Sequence, residues 1–111
     1  MTEPRRRSPM PGRPVRGSRT GRPIMALLDL LGRRWALRVL WELRDGPVPT
    51  FRDLQQRCGG VSSSVLTDRL TALRTAGILD RSEGGYELTE RGRTLLPAVR
   101  AMERWAAGWK P

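Results

Sequence analysis

The stretch Gly60–Arg74, GVSSSVLTDRLTALR, constrains this chain more than any other. Leu66, Leu70 and Leu73 recur at i, i+4 and i+7, which makes one apolar stripe of a helix. That stripe has to pack inward. The other face holds Ser63, Ser64, Thr67, Asp68 and Thr71. Outward helix faces are ordinarily filled by Lys, Glu and Arg, which are better helix formers than Ser and Thr. A face of short hydrogen-bonding side chains suits a helix that approaches a partner closely. In a basic chain the floor of a DNA major groove is such a partner. The same serines also suit a plain helix start, where Ser is common as an N-cap. The stretch alone leaves both readings open.

Charge narrows the partner. Over 111 residues the formal net charge is +10, and it is uneven. Residues 1–22 carry +6 of it and residues 23–111 carry +4. An anionic partner is favoured, nucleic acid first, then acidic membrane or protein surfaces. The length allows one domain with one modest core.

Other classes fall away. There is no His and a single Cys. Metal sites built from His and Cys, an internal disulfide, and Ser–His or Cys–His nucleophiles are therefore excluded. No paired carboxylates or Gly-rich phosphate loop stand out, so an enzyme is the weakest option and no cofactor is called for. One unpaired thiol fits a reducing cytoplasm. No apolar run reaches the roughly 18–20 residues needed to span a bilayer. Arg5-Arg6-Arg7 precede an apolar patch at 24–31, but Asp29 interrupts that patch and Arg33-Arg34 follow it, unlike an export signal.

The chain reads in order as follows. Residues 1–22 are Arg, Pro, Gly and Ser with almost nothing to bury, and are expected to be a disordered basic tail. The tail is either an arm along DNA or a solvated, nonspecific extension. Pro23 opens a first helix to Leu31, with Ile24, Leu27, Leu28 and Leu31 on one side. A second helix is expected over Arg34–Arg44, with Trp41 off the centre of its apolar stripe. Asp45-Gly46-Pro47 breaks it. Thr50 caps a third helix, Phe51–Arg57; Gly59-Gly60 turns the chain; Ser62 caps the stretch described above. Helix, short Gly-containing turn, helix is the helix-turn-helix arrangement, with the second helix as reader.

Gly77 stops the reader helix. Ile78–Arg81 and Tyr86–Leu88 read as strands around Ser82-Glu83-Gly84-Gly85, where Gly-Gly supplies the positive φ angles of a tight hairpin loop. A helix capped at Thr89 runs to about Gly108, with Pro97 either kinking it or marking a junction of two helices. The fold class expected is mainly α with a small β-hairpin wing: a winged helix-turn-helix over residues 23–109 that dimerises through its first and last helices.

The order and the residues together resemble the HxlR-type winged helix-turn-helix regulators, which are related to the MarR-like group. The resemblance rests on Pro23, Ala26-Leu27, Leu31-Gly32 and Trp35, on Leu37, Leu40, Leu43 and Asp45-Gly46, and on Phe51 and Leu54. It continues through Val61-Ser62, Val65-Leu66, Arg69-Leu70, Leu73 and Gly77-Ile78-Leu79, and ends with Tyr86, Leu88-Thr89 and Gly92. It covers about residues 22–108. It implies a DNA-binding regulator, and it implies the same first and last helices as dimer surface. Two departures stand out. Many members place a Cys before the first Pro, and some use it to sense oxidants or electrophiles; here that residue is Arg22, and Cys58 sits at the end of the third helix. The wing is also shortened, to Arg81–Tyr86.

The reading is therefore a transcription regulator, a repressor on a palindromic operator, that binds double-stranded DNA as a homodimer with its helix 62–76 in the major groove. Ser63, Ser64, Thr67 and Asp68 are the candidate base readers; Asp68 is alternatively an ordinary exposed acid. Thr50, Arg52, Arg57, Ser62, Arg69, Arg74 and Arg81 are the candidate phosphate contacts. Arg69 lies beside the leucine stripe and is alternatively a structural partner of an acid such as Asp53. The dimer surface expected is Ile24, Leu27, Leu28 and Leu31 with Leu95, Val99, Met102, Trp105 and Trp109; the competing role of these residues is to close a monomer core. No membrane partner is expected, and no residue set points to an effector. The other classes kept open are a protein-interaction module working through the Trp-rich last helix and a nonspecific basic nucleic-acid-binding protein driven by its tail.

Overall fold

Three helices packed on one leucine cluster carry the molecule, which is described here as a computed structural model. The structure describes residues 8–111. The elements are α1 (Pro23–Leu31), α2 (Ala36–Glu42), α3 (Phe51–Cys58), α4 (Ser63–Thr75), β1 (Leu79–Ser82), β2 (Gly85–Leu88) and α5 (Glu90–Ala107). Val39 and Leu40 of α2, Leu54 of α3, and Leu66 and Leu73 of α4 are all but inaccessible to solvent. The i, i+4, i+7 stripe thus points where its spacing requires, with Leu70 buried beside it. Among the described residues no helix is long and apolar enough to cross a membrane.

Helix ends follow their capping chemistry. The Thr50 hydroxyl accepts from the Asp53 N–H at 3.0 Å, and the Asp53 carboxylate accepts from the Thr50 N–H at 2.9 Å, closing a capping box on α3. Gly59 then takes φ +65 and Gly60 φ +136, turning the chain into α4. Ser62 caps α4 by accepting from the Val65 N–H. At its far end Gly77 sits at φ +76; its N–H donates to the Arg74 carbonyl, and the Ile78 N–H donates to that of Leu73. These two bonds are the Schellman arrangement that a C′ glycine permits.

The capping box makes α3 acid-sensitive. Hydrogen bonds from Thr50, backbone first and then side chain, hold the Asp53 carboxyl below the ordinary aspartate value of 3.8. The folded pKa is thus below the unfolded one. The stabilisation is complete above the ordinary range and is lost as pH falls through the folded value. Thr50→Ala is expected to cost about 1 kcal/mol near neutral pH. In urea titrations across the acid range the stability of Asp53→Ala should fall less steeply than the wild type's, since the Thr50 N–H that chiefly holds this carboxyl low is a backbone donor that Thr50→Ala keeps. Parallel acid limbs would contradict this assignment.

Three expectations are corrected in detail. The second helix was placed over Arg34–Arg44 but runs only Ala36–Glu42. Trp35 has φ +76, and the Arg34 carbonyl is turned out of the helix to accept from Arg69 Nε at 2.6 Å. At the other end, i to i−3 bonds from the Leu43 and Arg44 N–H groups tighten the last turn. In the hairpin only Gly84 has positive φ; Gly85 lies in β2, paired with Ser82. Gly85 serves close approach instead, since a Cβ there would collide with the Pro49 carbonyl, to which Tyr86 donates its N–H at 3.0 Å. Finally, of the two roles left open for Pro97 the junction is ruled out, since α5 runs through it as one helix.

The basic N-terminal segment was expected to be unstructured over residues 1–22. Residues 1–7 lie outside the described residues. Residues 8–22 form a looped strap against α1. Val15 and Ser18 exchange two backbone hydrogen bonds, and the Gly12 N–H donates to the Gly21 carbonyl at 3.0 Å. Pro9 and Gly21 are buried. The strap's anchor is Asp29 of α1, whose side chain is 3% exposed. It accepts from the Arg16 N–H at 3.3 Å and lies 3.7 Å from the Arg16 guanidinium. A helical wheel shows Asp29 only as an interruption of an apolar patch, because its partner is thirteen residues away in the chain.

Candidate nucleic-acid interface

Helix α4 presents a continuous exposed stripe of Ser63, Ser64, Thr67, Thr71, Arg74 and Thr75. Its inner side is fixed by Leu66, Leu70 and Leu73, so the stripe cannot rotate without opening the core. Gln55 of α3 braces its start: Nε2 donates to the Val61 carbonyl at 3.3 Å and meets Ser63 Oγ at 3.1 Å. The sequence reading missed Gln55, because nothing local marks it out. Further along, the Thr71 and Thr75 hydroxyls each donate at 2.9 Å to the carbonyl four residues earlier. What these two can offer a base edge is then an acceptor oxygen and a methyl group, the latter suited to the methyl of thymine.

Of the candidate base readers, Ser63, Ser64 and Thr67 stand on this stripe. Asp68 does not. Its side chain is 32% exposed and pairs with Arg69 Nη1 at 2.7 Å. Arg69 in turn is 18% exposed, and its Nε is given to the Arg34 carbonyl. Asp68 and Arg69 therefore belong to a strut joining α4 to the α1–α2 turn. Arg69 makes an ion pair of the kind one alternative held, but with Asp68 and not with Asp53. The physical reason is the pairing: the wheel leaves Asp68 beside Ser64 and Thr75, and Arg69, held by the Arg34 carbonyl, draws its carboxylate to the edge of the stripe.

The remaining phosphate candidates lie at the starts of α3 and α4, on those helices and on the wing. Thr50 and Ser62 are exposed and cap the starts of α3 and α4. Arg52 is exposed and forms no ion pair among the described residues. Arg57 is exposed but tethered: Nη1 donates to the Glu42 carbonyl at 3.3 Å, and its own carbonyl accepts from Arg38 at 2.7 Å. Arg74 lies 3.5 Å from Asp80, both well exposed, a pair that solvent screens and a phosphate can displace. Arg81 lies 5.7 Å from the Tyr86 ring on the shortened wing.

This order of helices, turn, outward short-polar stripe and two-stranded wing is matched by the model of the HxlR-like helix-turn-helix family over residues 30–111. The chain belongs to that family. The HTH-type transcriptional regulator sll1512 of Synechocystis is 36% identical over 94 residues, spanning 78% of this chain and 69% of that protein. Among solved structures, quinone-bound YodB of Bacillus subtilis superposes with a TM-score of 0.72 at 30% identity, covering 78% of this chain and 98% of that one. The redox regulator HypR in its oxidised form gives 0.69 at 29%, covering 80% and 98%. This HxlR-family chain is thus a DNA-binding transcriptional regulator, not an enzyme. Its cysteine is placed for packing. Cys58 is buried in the core, and burial pushes its thiol pKa up, with a smaller opposing pull from Arg38. A protonated, enclosed thiol is a poor nucleophile.

The residues expected to form a dimer surface divide. Ile24 and Leu28 of α1 are more than half exposed, with Leu27 and Leu31 partly covered beside them. Met102 and Trp105 of α5 and Trp109 just beyond its end are exposed, and the Trp105 and Trp109 rings lie 5.3 Å apart. Leu95 is half-buried. Val99 is corrected: at 4% exposure it closes the monomer core together with Leu96, which the sequence reading had not singled out. Trp41 is half-buried, with the Arg44 guanidinium 4.0 Å above its ring.

Proposed function

We propose that this regulator is a homodimeric repressor that reads a palindromic operator with the helix 62–76 of each copy in successive major grooves. The carrying observation is the exposed, uncharged stripe of Ser63, Ser64, Thr67 and Thr71, with exposed Arg52 and Arg57 on α3, Arg74 on α4 and Arg81 on the wing. Short donors and acceptors suit base edges, and the arginines suit the phosphates on either side. Asp68 is paired with Arg69, so the α4 stripe itself carries no bare acid. The protein acts in the cytoplasm, on the nucleoid.

The dimer reading rests on large apolar side chains left in water. Trp105 is 67% and Trp109 73% exposed, and Ile24 and Leu28 add to them on α1. A monomer gains nothing from such exposure, and apolar patches of this kind mark interaction surfaces. Two-fold pairing would set the half-sites about 34 Å apart, roughly one turn of B-DNA. Sedimentation equilibrium at micromolar concentration should give twice the chain mass, and Leu28→Asp/Trp105→Glu should give the chain mass. The same double variant should weaken operator binding in gel shifts by at least about 100-fold, since two half-sites are no longer joined. A wild-type species at the mass of one chain would overturn the dimer. Binding that ignores DNA sequence at about 0.15 M salt would overturn the reader assignment.

A further inference from the structure

The short polar groups of α4 are not equivalent, because their hydrogens are committed in different ways. At the start of the stripe, Gln55 Nε2 lies 3.3 Å from the Val61 carbonyl, which can only accept, so this end of the amide is the nitrogen. The same nitrogen donates to Ser63 Oγ at 3.1 Å. The Ser63 hydroxyl therefore keeps its own hydrogen for a partner beyond the surface. Two turns on, the order is reversed. The Thr71 hydroxyl gives its hydrogen to the Thr67 carbonyl at 2.9 Å. Thr75, the last residue of α4, repeats the arrangement on the Thr71 carbonyl at 2.9 Å. Neither threonine has a hydrogen left to offer a base.

The back-bond also fixes the methyl group of Thr71. A helical threonine has two χ1 wells open to it, and the bond to the carbonyl four residues earlier selects one. It turns the oxygen back toward the helix and leaves the methyl to whatever approaches. The side chain is exposed, and its neighbours Leu70 and Ala72 are buried, so α4 cannot roll to present another group in its place. In the major groove guanine shows only the acceptors N7 and O6, which have nothing to give such a side chain. Thymine shows its C5 methyl, and contact between two methyls needs no hydrogen bond. Acceptor-only edges are left to Ser63.

Resting on the placement of α4 proposed above, we propose that Thr71 is a specificity-determining residue that selects a thymine in each half-site, through contact of its methyl with the thymine C5 methyl. The fixed rotamer makes the contact inexpensive in side-chain entropy, and the missing donor turns it away from guanine.

The test uses the full chain and the duplex motif that it selects from random DNA at about 0.15 M salt. Each thymidine of the motif is replaced in turn by deoxyuridine, in both half-sites together, which removes the methyl and leaves the O4 acceptor. Gel-shift titration should reveal a position at which affinity falls about fifteenfold, or about fourfold for each half-site, the effect of one buried methyl. Thr71→Ser, which keeps the hydroxyl and its back-bond, should bind the thymine and uracil duplexes equally at that position. Thr71→Val, which keeps a methyl and lacks the hydroxyl, should retain the wild-type preference. Circular dichroism checks that both variants, changed at an exposed site, are folded. A motif with no uracil-sensitive position, or with the same sensitivity in Thr71→Ser, overturns the proposal and leaves the placement of α4 standing. Loss of the preference in Thr71→Val overturns it too, since the oxygen then carries the contact, to an adenine or cytosine amino group. A wild type that selects no motif overturns both the proposal and the placement.

Discussion

Gly92→Ala is expected to destabilise the fold by about 2–3 kcal/mol, although alanine is the better helix former. Helix propensity alone predicts the opposite sign, a gain of about 1 kcal/mol. The structure decides against it. Gly92 lies in the first turn of α5, where a Cβ would collide with the Ile78 carbonyl and crowd its side chain. The obstacle is backbone and cannot swing aside. That carbonyl is also fixed, since it accepts from the Thr89 N–H at 3.0 Å and from the Thr89 hydroxyl at 3.1 Å. The Thr89 oxygen itself caps α5 by accepting from the Gly92 N–H at 3.0 Å. A displaced Gly92 therefore loosens the cap, the contact of α5 with Ile78 and the seating of Leu96 and Val99 together. Urea midpoints for wild type and variant measure the effect. A variant as stable as the wild type, or more stable, would show that α5 is free to shift.

The second large effect concerns binding and not folding. Thr67→Glu puts a carboxylate in the middle of the exposed α4 stripe. Its effect on stability should stay within about 0.5 kcal/mol, since the site is exposed and Glu is a good helix former. Operator affinity should fall by at least about 100-fold, because a bare acid then meets base-edge acceptors and flanking phosphates. Asp68→Asn supplies the contrast. It weakens the Arg69 strut and so touches stability, while its removal from the stripe leaves sequence preference intact. Equal loss of affinity in both variants would mean that the face of α4 has been misassigned.

These contrasts show what a single sequence can carry. Period and punctuation were enough for the elements: the leucines of α4, the caps at Thr50, Ser62 and Thr89, and the stop at Gly77 all act as their chemistry dictates. Backbone-to-backbone proximity was not legible. Gly85 and Gly92 look like a turn residue and a helix weakness, yet both are required by carbonyls from distant segments, at Pro49 and Ile78. The Asp68–Arg69 strut was half legible. The wheel placed Arg69 beside the stripe, but the Arg34 carbonyl that claims it lies thirty-five residues away. The strap was not legible in composition. Proline and arginine have little to bury on their own, but one enclosed carboxylate, Asp29, supplies a point of attachment that no local pattern reveals.

The central claim is that α4 reads DNA sequence from two copies of one chain. In vitro selection of bound duplexes by the full chain at about 0.15 M salt tests it most directly. The account predicts a two-fold symmetric motif whose half-sites are centred about 10 base pairs apart, and predicts that Thr67→Glu recovers no motif. Recovery of the same motif by Thr67→Glu, or of no sequence preference by the wild type, would contradict it.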